Sequence, residues 1–254
     1  ITGNGGDDTL VGGAGDDTII GGSGTGDYIY AGGNGEGAFD YDVASFSDAT
    51  GSITATLGAV ATVSGAGVGT DTLSHIEYVR GGQFGDVFTV GVSFQSSFSN
   101  KLDVEGLGGN DVITGNGETR VRFYKAEAGV TVDLALGVSY GTDGLDTANV
   151  GWDTFSGVNR AWGSLFDDVL LGSAANEEFR GDEGNDFIDG RGGTDRIDFV
   201  SYGNGVFVDL AAGVAHDGQG DIDTLVNFEN ITGSRNADDL NGDGGSNVIR
   251  GSGG

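Results

Sequence analysis

The residues that could do chemistry in this sequence are aspartates that recur at one position of a nine-residue pattern. Twelve segments fit the pattern, each starting with glycine, and position six is a carboxylate in ten of them and an asparagine in one. Carboxylates held in glycine-rich turns can ligate a hard cation, because such cations prefer oxygen. The position-six candidates are Asp8, Asp17, Asp27, Asp86, Asp111, Asp168, Glu177, Asp186, Asp195, Asp238 and Asn247.

The glycines of these turns are candidate ligands through their backbone carbonyls. Glycine adopts positive φ without steric cost, which leaves the carbonyls of a tight turn exposed. Calcium takes six or more oxygen ligands, whereas zinc and copper favour thiolate or imidazole, and the chain has no cysteine and two histidines. We therefore predict several calcium ions. The candidate glycine ligands are Gly12, Gly13, Gly15, Gly181, Gly190 and Gly192.

Position eight is large and apolar in all twelve segments. Positions seven to nine therefore predict a short strand that buries its middle side chain, since neighbouring side chains point to opposite faces. If two segments make one coil, segments two apart stack at about 4.8 Å, and an ion between two turns can reach both. The pattern predicts an all-β solenoid of parallel strands. Its core positions are Leu10, Ile19, Ile29, Phe39, Phe88, Ile113, Leu170, Phe179, Ile188, Ile197, Leu240 and Ile249.

The tandem pattern, clearest in residues 163–198, resembles the G-G-x-G-x-D-x-U-x nonapeptide of the RTX family of bacterial exported proteins. The resemblance implies a right-handed parallel β-roll with calcium between the turns on both edges. It also implies side-chain ligation by the position-six aspartates, carbonyl ligation by the turn glycines, and export to the cell surface or beyond by a type I system. Gly37 replaces the acid in one segment, so we predict that the edge pairing of Asp17 with position 37 is weak or empty. A candidate segment beginning at Gly115 has Arg120 at position six and ends a run.

A longer repeat of about 75 residues connects the nonapeptides. Residues 129–140 recur as 205–216, with a divergent copy at 51–62, and each copy reads as one alternating strand. A seven-residue segment, which we call the box, follows each copy: "DTLSHIE" (71–77), "DTFSGVN" (153–159) and "DTLVNFE" (223–229). The sequence assigns the boxes no role. We predict one elongated solenoid with nonapeptides at 1–40, 81–119, 163–198 and 233–254, and irregular β connectors at 41–80, 120–162 and 199–232.

The charge of the chain limits its partners. With 39 acids against 11 bases, the net charge of −28 repels nucleic acid and opposes compaction of the metal-free chain. No apolar run approaches the roughly 18 residues of a membrane span, so we expect no membrane insertion. The expected partners are calcium, neighbouring copies or adjacent repeats at the open solenoid ends, and extracellular polysaccharide.

Catalytic motifs are weak in this sequence. "GVSYG" places Ser139 in a G-x-S-x-G motif, but the motif needs a following helix, and Ser139 aligns with Ala215 in the sister repeat. His75 and His216 occupy different parts of their repeats. We therefore predict no enzyme, but a calcium-binding structural module of a large secreted or surface-attached protein, of adhesin, stalk or surface-layer type, that folds on meeting extracellular calcium.

The alternative is a carbohydrate-binding module of an extracellular polysaccharide-modifying enzyme. Aromatic residues such as Trp152 and Trp162 are candidates for a sugar platform, although packing is the favoured role. The basic cluster Arg120, Arg122 and Lys125 is a candidate contact for an anionic polysaccharide, and we favour instead that it balances neighbouring carboxylates.

Overall fold

The computed structural model of the chain describes residues 1–32, 41–94, 101–200, 202–216 and 220–253. Within these ranges every regular element is a β-strand, which confirms the predicted all-β fold, and no helix that could cross a membrane occurs. The chain divides into two compact units. Unit one comprises Ile1–Arg122 and Asn149–Val158, and unit two comprises Phe123–Ala148 and Asn159–Gly254.

Unit one contains the first eleven strands: β1 (Thr9–Gly13), β2 (Thr18–Ile19), β3 (Tyr28–Gly32), β4 (Val43–Ser45), β5 (Ile53–Leu57), β6 (Ala61–Gly65), β7 (Gly69–Ser74), β8 (Tyr78–Arg80), β9 (Val87–Val90), β10 (Leu102–Glu105) and β11 (Val112–Arg122). The strand β14 (Trp152–Trp162) supplies residues to both units. The other strands of unit two are β12 (Val130–Asp133), β13 (Val138–Gly141), β15 (Val169–Leu171), β16 (Glu178–Arg180), β17 (Phe187–Asp189), β18 (Arg196–Asp198), β19 (Phe207–Asp209), β20 (Val214–His216), β21 (Ile222–Val226), β22 (Asn230–Thr232), β23 (Asp239–Asn241) and β24 (Val248–Arg250).

Strands two segments apart stack in parallel, as the nine-residue period predicts. β15 pairs with β17 so that Leu170 lies beside Ile188, and β16 pairs with β18 in the same way. In unit one, β1 pairs with β3 and Leu10 lies beside Ile29. In these stacks the register places the position-eight side chain of one coil beside that of the next.

The position-eight side chains form the core. Leu240 is half-buried, and Ile249, in the last strand, is 42% exposed. Phe39 lies outside the described residues. The buried members are Leu10, Ile19, Ile29, Phe88, Ile113, Leu170, Phe179, Ile188 and Ile197.

The connectors contain hairpins, so the prediction of one alternating strand in each was wrong. β12 and β13 pair antiparallel, with Val130 opposite Gly141, and Gly137 reverses the chain between them at φ +68°. β19 and β20 repeat this arrangement with Gly213 at φ +70°, and β5 and β6 form the third hairpin. Apolar and polar residues alternate in the same way on both strands of a hairpin, so the alternating pattern did not reveal where the chain reverses. The reversal itself uses left-handed backbone, which glycine adopts readily.

The outer strands of the connectors belong to the parallel stacks. The first strand of each hairpin pairs with a strand of the next nonapeptide run: β5 with β9, β12 with β15, and β19 with β23. The strands that contain the first and third boxes, β7 and β21, each pair with a strand of the preceding nonapeptide run: β7 with β3, and β21 with β17. The connectors therefore extend the ladders of the nonapeptides.

Candidate metal centre

The position-six aspartates form ladders in which each carboxylate accepts a hydrogen bond from the turn before it. The backbone N–H of Asp8 donates to Oδ1 of Asp27 at 2.8 Å, and that of Asp168 donates to Oδ1 of Asp186 at 2.8 Å. The N–H of Asp86 donates to Oδ1 of Asp111 at 2.7 Å. One oxygen of each acceptor carboxylate therefore joins consecutive turns and is used by the fold itself.

The boxes complete these ladders, which sequence reasoning missed. The N–H of Asp27 donates to Oδ1 of Asp71 at 3.0 Å, that of Asp111 to Asp153 at 2.9 Å, and that of Asp186 to Asp223 at 3.1 Å. We call the resulting sets the three-aspartate ladders. In unit one they are Asp8–Asp27–Asp71 and Asp86–Asp111–Asp153, and in unit two Asp168–Asp186–Asp223.

Each unit also has a ladder that mixes aspartate and glutamate. In unit one the N–H of Asp17 donates to Asp42 at 2.8 Å, and that of Asp42 donates to Glu77 at 3.0 Å. β2 pairs with β4, so Asp42 lies beside Asp17. Gly37, for which we predict a weak or empty pairing with Asp17, lies outside the described residues. In unit two the ladder is Glu177–Asp195–Glu229.

The second oxygen of many ladder carboxylates has no partner. These Oδ2 atoms are buried from solvent and accept no hydrogen bond within the described residues. A buried ionised oxygen without a partner is costly, so such atoms indicate a missing positive ligand. The aspartates concerned are Asp8, Asp17, Asp27, Asp71, Asp111, Asp186, Asp195 and Asp238.

Burial raises the pKa values of several ladder carboxyl groups. Burial, and then the neighbouring carboxylates of its ladder, raise the pKa of Asp186 to about 9, and burial with the charge of Asp153 raises that of Asp111 to about 9. Burial raises the pKa of Asp168 to about 7 and that of Asp195 to about 7. A cation between the turns would favour the ionised form of these groups.

The glycine at position one leaves space for oxygens of two turns. A Cβ on Gly3 would lie 2.7 Å from Oδ2 of Asp8 and would collide with the carbonyl oxygen of Gly21. A Cβ on Gly163 would collide with Oδ2 of Asp168 and with the carbonyl oxygen of Gly181. Only glycine therefore lets the carboxylate of one turn and the carbonyl of the next approach each other.

The glycine ligands predicted from the sequence lie in these turns. The carbonyl oxygen of Gly190 faces Gly172 in the same way that Gly181 faces Gly163, while Gly192 donates its N–H to the carbonyl of Ser173 at 3.1 Å. Gly13 and Gly15 have φ of +108° and +94°. Gly12 is half-buried in β1. Ligation by these glycines, and by Glu177, Asn247 and the position-six aspartates, stays a prediction.

The donors fit calcium and not a softer metal. No group of three or more acidic, histidine or cysteine side chains lies close enough to hold a metal in the described part of the chain. A cation in these turns must therefore combine carboxylates with backbone carbonyls, an all-oxygen set that suits calcium. Such a set is what the ladder oxygens and the turn carbonyls offer.

Several arginines form ion pairs with acids outside the ladders. Arg120 and Arg122 contact Oδ2 of Asp103 at 2.5 and 3.4 Å, which confirms that these two members of the basic cluster balance carboxylates. In unit two, Arg180 is 2% exposed, bonds Asp198 at 2.9 Å, and covers the ring of Trp162 at 3.6 Å. Trp162 is thus a packing residue.

The remaining motif residues have structural surroundings. Ser139 is fully buried in β13, and a turn rather than a helix follows that strand. His75 adopts φ +55° in the turn of the first box, with Nδ1 at 2.7 Å from Oγ of Ser74. Trp152 is 53% exposed.

Comparison with known proteins agrees with the geometry. The family model of the RTX calcium-binding nonapeptide repeat (4 copies) matches residues 2–34, 103–118, 153–186, 171–199 and 229–254. No curated protein matches the chain significantly. The matched ranges include most of the ladder aspartates, whereas Asp42, Asp71, Asp86 and Asp223 lie outside them.

Proposed function

Because the chain carries RTX calcium-binding nonapeptide repeats, we propose that it is a non-catalytic structural module of an exported bacterial protein that folds when it meets extracellular calcium. The parent protein is of adhesin, stalk or surface-layer type, and a type I system exports it. The observation that supports this most strongly is the set of buried Oδ2 atoms that accept no hydrogen bond.

The mechanism is linkage between calcium binding and folding. An ion that binds only the folded chain stabilises it by about 2.7 kcal/mol when calcium is at a hundredfold excess over Kd. About six such ions would contribute roughly 16 kcal/mol, which exceeds the usual net stability of a domain. Where free calcium is scarce, that contribution vanishes and the net charge of −28 favours an extended chain.

Far-UV circular dichroism of the chain in excess chelator and in millimolar calcium tests this proposal. We expect a coil-like spectrum in chelator and a β-rich spectrum after calcium is added. Magnesium at the same ionic strength is the control, and we expect it to leave the spectrum coil-like because Mg²⁺ demands a tighter octahedral geometry. A β-rich spectrum of full amplitude in chelator would contradict the proposal.

A further inference from the structure

We propose that the box aspartates Asp71, Asp153 and Asp223 are calcium ligands that close each three-aspartate ladder with an additional site. This inference rests on the proposed calcium-dependent function and extends it to residues outside the nonapeptides. Each box aspartate takes the ladder position of a nonapeptide aspartate and accepts the same hydrogen bond from the turn before it.

The first two boxes keep part of the nonapeptide turn. Gly69 and Gly151 stand two residues before the box aspartate, where a nonapeptide has its position-four glycine, and their φ values are +69° and +70°. The nonapeptide glycine Gly109 has φ +100°. A Cβ on Gly69 would lie 2.5 Å from the carbonyl oxygen of Gly24, and one on Gly151 would collide with the carbonyl of Gly109. The boxes therefore retain a left-handed glycine packed on the turn below.

The first box also shows two carboxylate oxygens that converge without a donor. Asp27 is 3% exposed and Asp71 is fully buried, and Oδ2 of each accepts no hydrogen bond. The two Oδ2 atoms lie 2.7 and 3.1 Å from one point, the position that a Cβ on Gly21 would take. Two buried anionic oxygens at one place repel each other unless a cation lies with them.

The turn of the first box also presents a backbone oxygen to the turn below it. A Cβ on Gly26 would lie 2.6 Å from the carbonyl oxygen of Thr70, the residue before Asp71. The first box therefore offers two carboxylate oxygens, with a backbone carbonyl in the same turn, and oxygen ligands of these kinds are what calcium prefers. A box aspartate that served only to accept the N–H of Asp27 would need one oxygen, and Asp71 buries two.

The boxes change the number of sites that the ladders offer. Each three-aspartate ladder has one pair of stacked nonapeptide turns, and its box adds a second pair. The three ladders therefore offer six pairs of turns in place of three. In the second and third ladders, Asp111 and Asp186 have an unpartnered Oδ2 next to the box, as Asp27 does in the first.

Calcium stoichiometry of the full chain tests the inference. Equilibrium dialysis against calcium is compared for the unsubstituted chain, Asp71→Asn and Asp48→Asn, after circular dichroism has shown that each is folded in calcium. Asparagine at 71 keeps the Oδ1 acceptor for the N–H of Asp27. Asp48 is exposed and affects Asp71 only through its charge, so it is the matched control.

We expect Asp71→Asn to bind one ion fewer and Asp48→Asn to bind the original number. The same number of ions at unchanged affinity in Asp71→Asn would overturn the inference while leaving the proposed function intact. No calcium bound by the unsubstituted chain would refute the proposed function itself. If Asp71→Asn does not fold in calcium, Asp153→Asn in the second ladder decides the question by the same count.

Discussion

The substitution Asp186→Asn distinguishes the two roles of a ladder carboxylate, which are hydrogen-bond acceptor and cation ligand. Asp186 lies in the middle of the ladder of unit two and is 2% exposed. Its Oδ1 accepts the N–H of Asp168 at 2.8 Å, and its Oδ2 has no hydrogen-bond partner among the residues that the structure describes. Asparagine keeps the volume and the Oδ1 acceptor but replaces the anionic Oδ2 with an amide group. The hydrogen bond is therefore retained, while cation ligation is lost.

The size of the effect follows from the number of sites that Asp186 borders. It stacks on Asp168 on one side and on Asp223 on the other, so the substitution removes one or two ions. At a hundredfold calcium excess each lost ion costs about 2.7 kcal/mol, giving an expected loss of about 3 to 5 kcal/mol in the free energy of unfolding. Each bound ion also adds about 1.4 kcal/mol per tenfold rise in calcium.

Urea unfolding at several saturating calcium concentrations measures both quantities. We expect Asp186→Asn to lower the unfolding free energy and to reduce its slope against the logarithm of calcium by about 1.4 or about 2.7 kcal/mol per decade. Asp167→Asn is the matched control, since Asp167 is exposed one residue away and accepts the N–H of Asn185 at 2.8 Å. A loss of stability with an unchanged slope would show that Asp186 is only a hydrogen-bond acceptor and would refute the reasoning.

Three further predictions concern protons, glycine and a buried ion pair. In excess chelator the chain should hold more β-structure at pH 5 than at pH 8. Burial raises the pKa of Asp186 and Asp111 to about 9 in the folded state, so stability is lost as pH rises from about 4 to about 9. Circular dichroism that shows more β-structure at pH 8 would contradict this. Gly163→Ala should lower the free energy of unfolding in urea by about 2 kcal/mol or more, because the added Cβ collides with the carbonyl of Gly181. Gly244→Ala is the control and should change it little, because Gly244 has open space around it. Equal effects of the two substitutions would count against the packing argument. Arg180→Met should lower the unfolding free energy by about 3 kcal/mol by stranding the carboxylate of Asp198, with no change in the calcium slope; a reduced slope would link this pair to the ions.

The nine-residue period predicted the parts of the fold that depend on regular stacking. The apolar position eight predicted the core, because Leu170 and Ile188 must lie beside each other once segments two apart stack. Position six predicted the ladder of Asp168 and Asp186 for the same reason. A fixed period translates directly into a fixed register, so these features follow from the sequence.

The boxes escaped prediction because they break the period. In the first box Asp71 and Glu77 join different ladders and stand six residues apart instead of nine. The shorter turn between them uses His75 at φ +55° where a nonapeptide has several glycines. The sequence of the box did contain a related pattern, because its D-T-L or D-T-F has the residue types of positions six to eight of the nonapeptide, D-x-U. Its meaning depended on pairing with β3, a contact that is distant in the chain.

The role of the position-five side chains was also not predicted from the sequence. Oδ1 of Asp167 accepts the N–H of Asn185 at 2.8 Å, and Oδ1 of Asn110 accepts the N–H of Trp152 at 2.9 Å. These bonds run from the later turn to the earlier one, opposite to the position-six bonds. Position five varies in residue type, so spacing alone gave it no role.

The most direct test of cation binding between the turns is a crystal structure grown in calcium, with anomalous difference density measured for the calcium. We predict anomalous peaks about 2.3 to 2.6 Å from Oδ2 of Asp186 in unit two and from Oδ2 of Asp27 and Asp111 in unit one. Well-ordered turns with no anomalous peak beside these oxygens would contradict the account.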